Sequence, residues 1–108
     1  MNSLTHKVQL KNRHLLVAAD VAQSAFGEVA QVFMVYYPNQ RSLLLAPMDD
    51  TIFSTLHKAA LQMLKTRNLN GDKSLSLEEI LIDHEIDDTD RELPFLQQPG
   101  MKLLQVTL

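Results

Sequence analysis

The hydrophobic pattern of the chain is densest between Val29 and Pro47. Two apolar segments, VAQVFMVYY and SLLLAP, flank the proline-led turn PNQR, which predicts a β-hairpin. Because successive side chains of a strand point to opposite faces, both faces of this hairpin are apolar. Both faces must then be covered, by helices, by another sheet or by a second copy of the chain.

The apolar side chains of this hairpin form the predicted interface. Only one long helix is predicted elsewhere, which is too little material to cover both faces. We therefore expect a homo-oligomer, most simply a dimer, in which a second copy covers one face. The residues assigned to this interface are Val32, Phe33, Met34, Val35, Tyr36, Leu43, Leu44 and Leu45.

Two short strands and a short helix are predicted before the hairpin. Val8 to Lys11 alternates apolar and polar residues, which is typical of a half-buried strand, and His14 to Ala18 is more continuously apolar. Asp20 is a plausible N-cap for the helical segment VAQSAF. Gly27 follows that segment, where a left-handed residue is expected.

Two helices are predicted after the hairpin. From Ile52 to Thr66, apolar residues recur at spacings of three and four, which predicts an amphipathic helix. A second helix, from Leu77 to about His84, follows the capping-box sequence SLEE that begins at Ser76.

A terminal hairpin completes the predicted elements. Residues 92–96 and 102–108 flank a Pro99-Gly100 pair, which suits a type II turn. The whole chain, residues 1–108, is thus predicted to be one α+β domain. We expect a small, mostly antiparallel sheet built on the central hairpin, with one long and one or two short helices.

Composition places the chain among ordinary globular proteins. Its 108 residues are 45% hydrophobic and 21% charged. It has no cysteine, which excludes disulfides and thiolate metal sites. The N-terminal segment lacks an apolar core of signal-peptide length, and the longest apolar run, Val32 to Tyr37, is far too short to span a membrane. We therefore expect a cytoplasmic protein with no membrane partner.

Charge is distributed unevenly between the two halves of the chain. The net charge is −3 overall, +2 over residues 1–48 and −5 over residues 49–108. Solvated faces are the simpler interpretation of this asymmetry.

One segment resembles an EF-hand calcium loop. Asn68, Asn70, Asp72, Ser76 and Glu79 fall at ligand positions 1, 3, 5, 9 and 12 of such a loop. Asn replaces Asp at position 1, and Lys73 stands where a glycine is needed for the sharp turn. The alternative is a polar turn followed by a capped helix, so a calcium- or metal-responsive domain is a secondary hypothesis.

No catalytic motif is present. The chain lacks GxSxG, HExxH and a phosphate-binding glycine loop. His84 lies among the carboxylates of Asp83, Glu85, Asp87, Asp88 and Asp90, but adjacent helical residues diverge. His57 lies near the apolar side of the long helix, where a core histidine bonded to a backbone carbonyl is commoner than a functional imidazole in a pocket. We expect a non-catalytic domain without a cofactor, and an enzyme would need His57 or His84 in a pocket beside a carboxylate.

Residues 8–47 resemble the swapped-hairpin DNA-binding domains of the AbrB and MraZ type. The matching segments are VQLK, NR, HLLVA, DVAQSAFG, VFMVYY and SLLLAP, a pattern of elements that covers under half of the chain. The resemblance implies an interlaced homodimer. It also implies a transcriptional regulator that binds DNA through Lys7, Lys11, Arg13 and Arg41. The preferred hypothesis remains a homo-oligomeric interaction domain, with DNA binding as the alternative.

Overall fold

In the computed structural model, which describes residues 7–67, 71–97 and 100–108, the strands form two antiparallel sheets. Over these residues the first sheet has five strands: β1 (Val8–Lys11), β2 (His14–Val17), β6 (Lys65–Thr66), β7 (Lys73–Ser76) and β8 (Arg91–Glu92). Their order across the sheet is β6-β7-β2-β1-β8. Strands β1 and β2 form a hairpin whose two turn residues, Asn12 and Arg13, both have positive φ angles, as a two-residue turn of this kind requires.

The second sheet is built on the predicted central hairpin. Its five strands, within the described ranges, are β3 (Gln31–Tyr37), β4 (Ser42–Pro47), β5 (Ala60–Met63), β9 (Phe95–Leu96) and β10 (Leu104–Thr107). Their order is β5-β3-β4-β10-β9. A 3₁₀ turn over Pro38–Gln40 joins β3 to β4. The predicted terminal hairpin is present as β9 and β10, whereas β8 joins the first sheet.

Three short helices accompany the sheets in the described part of the chain. They are α1 (Ala19–Phe26), α2 (Thr51–His57) and α3 (Glu78–Asp83). Helix α1 ends at Gly27, whose φ of 71° and ψ of −151° suit glycine better than any residue with a Cβ. Its N-cap is Ala18, and Asp20 lies in the first turn instead of capping it. The N-cap of helix α3 is Leu77, and Ser76, the predicted cap, is the last residue of strand β7. The predicted capping box therefore does not form.

The long helix predicted over residues 52–66 is not present. Helix α2 ends at His57 because Lys58 adopts a left-handed conformation with a φ of 51°. The chain then runs as strand β5 along the edge of β3, pairing Phe33 with Leu61 and Met34 with Ala60. This pairing gives β3 the backbone hydrogen bonds that its edge would otherwise lack, and it outweighs the helical periodicity of the side chains.

The two sheets share one hydrophobic core. The first sheet contributes Val8, Leu10, Leu15, Val17 and Leu75, and the second contributes Val32, Met34, Leu43, Leu45, Leu104 and Val106. Helix α1 adds Phe26 to the same core and contacts β4. The chain is thus a mixed α+β fold in which two antiparallel sheets meet face to face. No helix in the described ranges is long and apolar enough to cross a membrane.

Candidate functional site

The second sheet has one face in the core and one face turned away from it. Strand alternation places Val32, Met34, Leu43 and Leu45 inward, where each is at least 93% buried. Phe33, Val35 and Leu44 therefore point to the opposite side, and all three are half-buried. We call this opposite side the outer face.

The strand register continues the outer face across the whole sheet. Val35 lies opposite Leu44, Leu44 opposite Gln105, and Gln105 opposite Leu96. A second row pairs Leu61 with Phe33 and Phe33 with Ala46. Side chains directly opposite in an antiparallel pair are close neighbours. The outer face is therefore one continuous surface that is mostly apolar.

The second sheet carries no formal charge on its strands. Its described strand sequences are QVFMVYY, SLLLAP, ALQM, FL and LQVT. The strands of the first sheet, by contrast, carry Lys11, Lys65, Lys73, Arg91 and Glu92. Exposed sheet edges and faces usually bear charged residues that discourage association. The second sheet lacks this protection.

Helix α2 covers part of the outer face. The backbone N–H of Phe53 donates a hydrogen bond of 2.9 Å to Oδ1 of Asp50, the N-cap residue of the helix. The Phe53 side chain is buried and packs against the ring of His57. The Tyr37 hydroxyl, which belongs to the outer face, is hydrogen-bonded to Nδ1 of His57 at 2.5 Å. His57 thus anchors the helix to the sheet through a tyrosine hydroxyl, and not through the backbone carbonyl that the commoner interpretation predicts.

Most of the large hydrophobic side chains that the described residues leave exposed lie on or next to the second sheet. The described residues leave nine large hydrophobic side chains exposed, and one of them, Ile82 on α3, lines a cavity together with Arg13 of the β1–β2 turn. Large exposed apolar patches usually mark interaction sites. The other eight lie on strands of the second sheet, on α2 or on adjoining segments: Met48, Ile52, Leu56, Leu61, Met63, Phe95, Leu96 and Met101.

The structure divides the predicted interface residues between the two faces. Val32, Met34, Leu43 and Leu45 lie in the chain's own core and offer no surface to a partner, which corrects their assignment to an interface. The sequence could not separate the two sets because both faces of the hairpin are apolar. Phe33, Val35 and Leu44 lie on the outer face.

Tyr36, the eighth predicted interface residue, shares the inner side of β3 with Val32 and Met34. It is half-buried at the end of the strand and packs against the core. Its ring meets that of His84 edge-on, with 4.9 Å between ring centroids. It therefore lies apart from the outer face.

The four residues that the AbrB and MraZ resemblance assigns to DNA do not form a free basic surface. Lys7 is bonded to the carboxylate of Asp20. Arg13 forms ion pairs with Asp88 at 3.0 Å and Glu78 at 3.6 Å. Lys11 and Arg41 are exposed, but Lys11 ends β1 of the first sheet and Arg41 lies in the turn that joins β3 to β4 of the second. Since duplex binding depends on neutralising phosphates, DNA binding stays a prediction that this arrangement does not favour.

The residues predicted to bind calcium do not lie in a helix–loop–helix unit. Strand β6 precedes the segment, and Lys73–Ser76 is itself a strand paired with β2. Asp72 Oδ1 accepts a hydrogen bond from the backbone N–H of Ala19 at 2.8 Å and so caps α1. Ser76 Oγ accepts from the N–H of Glu78. Glu79 is exposed on α3, and Asn68 and Asn70 lie outside the described residues.

Among the described residues, no group of three or more His, Cys, Asp or Glu side chains is arranged to hold a metal ion.

A polar cavity of about 450 Å³ surrounds His84. It brings this histidine near Glu85 and Asp87, together with Arg41 and Arg91. Arg91 Nη1 donates to the backbone carbonyls of residues 87 and 89, which fixes its guanidinium. A bond from the Thr89 side chain holds the pKa of Asp87 below its usual value. The cavity supplies a histidine beside carboxylates, but no hydrogen bond joining them as a catalytic pair is observed in the described residues.

Sequence analysis missed the residues that enlarge the outer face beyond the hairpin. Leu56, Leu61 and Met63 all fall within the helix predicted over residues 52–66, yet all three are exposed, and Leu61 and Met63 lie on β5 of the second sheet. The absence of charge from the segments that form this sheet was visible in the sequence. Their assembly into one sheet was not, because β5 and β10 join β3 and β4 across long separations in the chain.

The AbrB and MraZ resemblance over residues 8–47 stays a prediction, which the order of elements alone does not test. A hairpin, a short helix ending before glycine and a second hairpin follow one another. The interlaced homodimer that the resemblance implies stays a prediction. Comparisons with protein family models, with curated proteins and with solved structures found no match for this chain.

Proposed function

We propose that this protein is a non-catalytic interaction domain that associates with a second copy of itself through the outer face of the second sheet. The observation that carries the proposal is the combination of an uncharged sheet and a concentration of exposed apolar side chains around it. Removing such side chains from water is the main favourable contribution to protein association, at about 25 cal/mol for each Å² of apolar surface.

The missing charge favours a second copy over an unrelated partner. A twofold interface places the same patch of both subunits in contact. Any uncompensated charge near the axis of such an interface then meets its own equivalent. The strands of the second sheet carry no charge, so two copies can approach through it without repulsion between like charges. An interface through the first sheet would place Lys11, Lys65 and Lys73 near their own equivalents.

A matched pair of lysine substitutions tests the proposal. Leu56 lies in the last turn of α2, the helix that covers part of the outer face, and is 74% exposed. Ile82 lies in the last turn of α3, shares a cavity with Arg13 of the β1–β2 turn, and is 62% exposed. Lysine is favourable at a helix C-terminus, so neither change should unfold the chain. We expect Leu56→Lys to weaken dimerisation at least tenfold, as burial of an unpaired charge at an interface does. Ile82→Lys should leave dimerisation unchanged.

Analytical ultracentrifugation of the wild type and both variants gives the result directly. Equal dissociation constants for wild type and Leu56→Lys, or equal weakening by both substitutions, would contradict the assignment of the interface to the second sheet. Circular dichroism and thermal unfolding of each variant confirm that the fold is retained.

A further inference from the structure

The second sheet has an open edge at β5. This strand pairs with β3 on one side, and no described residue pairs with it on the other. Natural proteins usually protect such an edge with lysine, proline or a bulge. The sequence of β5, Ala-Leu-Gln-Met, has none of these, and Leu61 and Met63 are 45% and 60% exposed.

The hydrogen-bond pattern shows which backbone groups of β5 face outward. The N–H of Leu64 donates to the carbonyl of Ala30 at 2.8 Å. Because hydrogen-bonded pairs alternate along an antiparallel ladder, Gln62 and Ala60 also turn their backbone groups toward β3. The N–H and C=O groups of Leu61 and Met63 therefore point away from the sheet.

The outward N–H and C=O groups of one β5 strand can pair with the outward C=O and N–H groups of a second, antiparallel β5 strand. If two β5 strands meet antiparallel with Gln62 at the twofold axis, Leu61 of each chain lies opposite the partner's Met63. All four outward groups of each strand are then used, which gives four hydrogen bonds across the axis. No charged residue stands within β5 (Ala60–Met63), so the paired segments themselves bring no two like charges together.

We infer that two copies of this chain pair edge to edge through β5, joining their second sheets into one continuous antiparallel sheet. The pairing rests on the proposed self-association and adds a second contact to it, through the edge strand β5 instead of the outer face itself. It also places Leu61 and the partner's Met63 as direct cross-strand neighbours on the outer face, where such apolar pairs stabilise a sheet.

Proline substitution at Leu61 tests the pairing through the backbone. Proline removes the outward N–H but none of the bonds from β5 to β3, and it is tolerated on edge strands in this orientation. The matched control is Leu61→Ala, which shortens the side chain and keeps the N–H. Two hydrogen bonds are lost per dimer, so we expect Leu61→Pro to raise the dissociation constant about tenfold to a hundredfold. Leu61→Ala should have a smaller effect.

Hydrogen exchange of the wild-type chain provides a second measurement that does not depend on a variant folding. The N–H groups of Leu61 and Met63 should gain protection as the protein concentration rises through the dissociation constant. The N–H groups of Gln62 and Leu64, which bond to β3, should be protected throughout.

The outcomes separate the edge pairing from the proposed function. Suppose that Leu56→Lys weakens the dimer, that the amides of Leu61 and Met63 exchange freely, and that Leu61→Pro has no effect. The outer-face interface is then retained and the edge pairing is overturned. If instead Leu61→Pro weakens the dimer and Leu56→Lys does not, the edge pairing is retained and the outer-face interface is overturned. A chain that stays monomeric overturns both.

Discussion

Asp72 caps helix α1 from a distant part of the chain, and its substitution gives a sharp test of the fold. Its Oδ1 accepts a hydrogen bond of 2.8 Å from the N–H of Ala19, the first residue of the helix. The helix has no cap of its own, because its N-cap residue is Ala18 and contributes no side-chain bond. The first N–H groups of a helix have no carbonyl partner within it, and here the N–H of Val21 bonds to Asp20 Oδ1 while that of Ala19 depends on Asp72.

The size of the effect follows from this geometry. Replacing a capping Asp by Ala costs about 1 kcal/mol, within a range of about 0.5–2 kcal/mol. The bond is partly buried, so water replaces it incompletely and Asp72→Ala should lie near the middle of that range. For a domain of about 100 residues, this corresponds to a fall in Tm of about 4 °C or more. Asp72→Asn keeps an acceptor oxygen at the same position and should recover most of the loss.

Urea and thermal unfolding of wild type, Asp72→Ala and Asp72→Asn measure these differences. Asp49→Ala, which removes an exposed aspartate next to the N-cap of α2, controls for the loss of one negative charge. Equal stabilities of wild type and Asp72→Ala would refute the capping role. A rise in wild-type Tm on adding calcium that Asp72→Ala abolishes would favour the calcium hypothesis instead.

Three further predictions concern single contacts. The hydrogen bond from Lys7 lowers the pKa of the Asp20 carboxyl from 3.8, so the stability from this exposed pair is present above that pH and lost as the pH falls below it. Replacing Lys7 by Met should flatten this part of the stability–pH profile, and an unchanged acid limb would contradict the pairing. Gly27→Ala should cost about 1–3 kcal/mol because its backbone conformation is essentially restricted to glycine, and unchanged urea unfolding would contradict that strain. Tyr37→Phe should cost about 1 kcal/mol through loss of the bond to His57, and an unchanged Tm and His57 NMR signal would contradict it.

The local elements of this fold could be predicted from the sequence. The hairpin β3–β4, the hairpin β1–β2 and helix α1 each depend on residues close together in the chain, with turn residues such as Pro38 and Gly27 to mark their ends. The terminal hairpin was predictable in the same way, because Gly100 lies between its two apolar segments.

The elements that sequence analysis assigned wrongly depend on distant partners. Ile52 to Thr66 has helical periodicity, but β5 forms because the edge of β3 is available to it. The same limit applies to the site. Val32 and Val35 are alike in the sequence, and only the packing of the two sheets determines that the first is buried in the core and the second faces outward.

The most direct test of the central claim is the mass of the wild-type chain in solution. Light scattering coupled to size exclusion, over a range of micromolar concentrations, should give about twice the 12.2 kDa of one chain if the second sheet is an interface between copies. A constant mass of one chain across that range would contradict self-association through the second sheet.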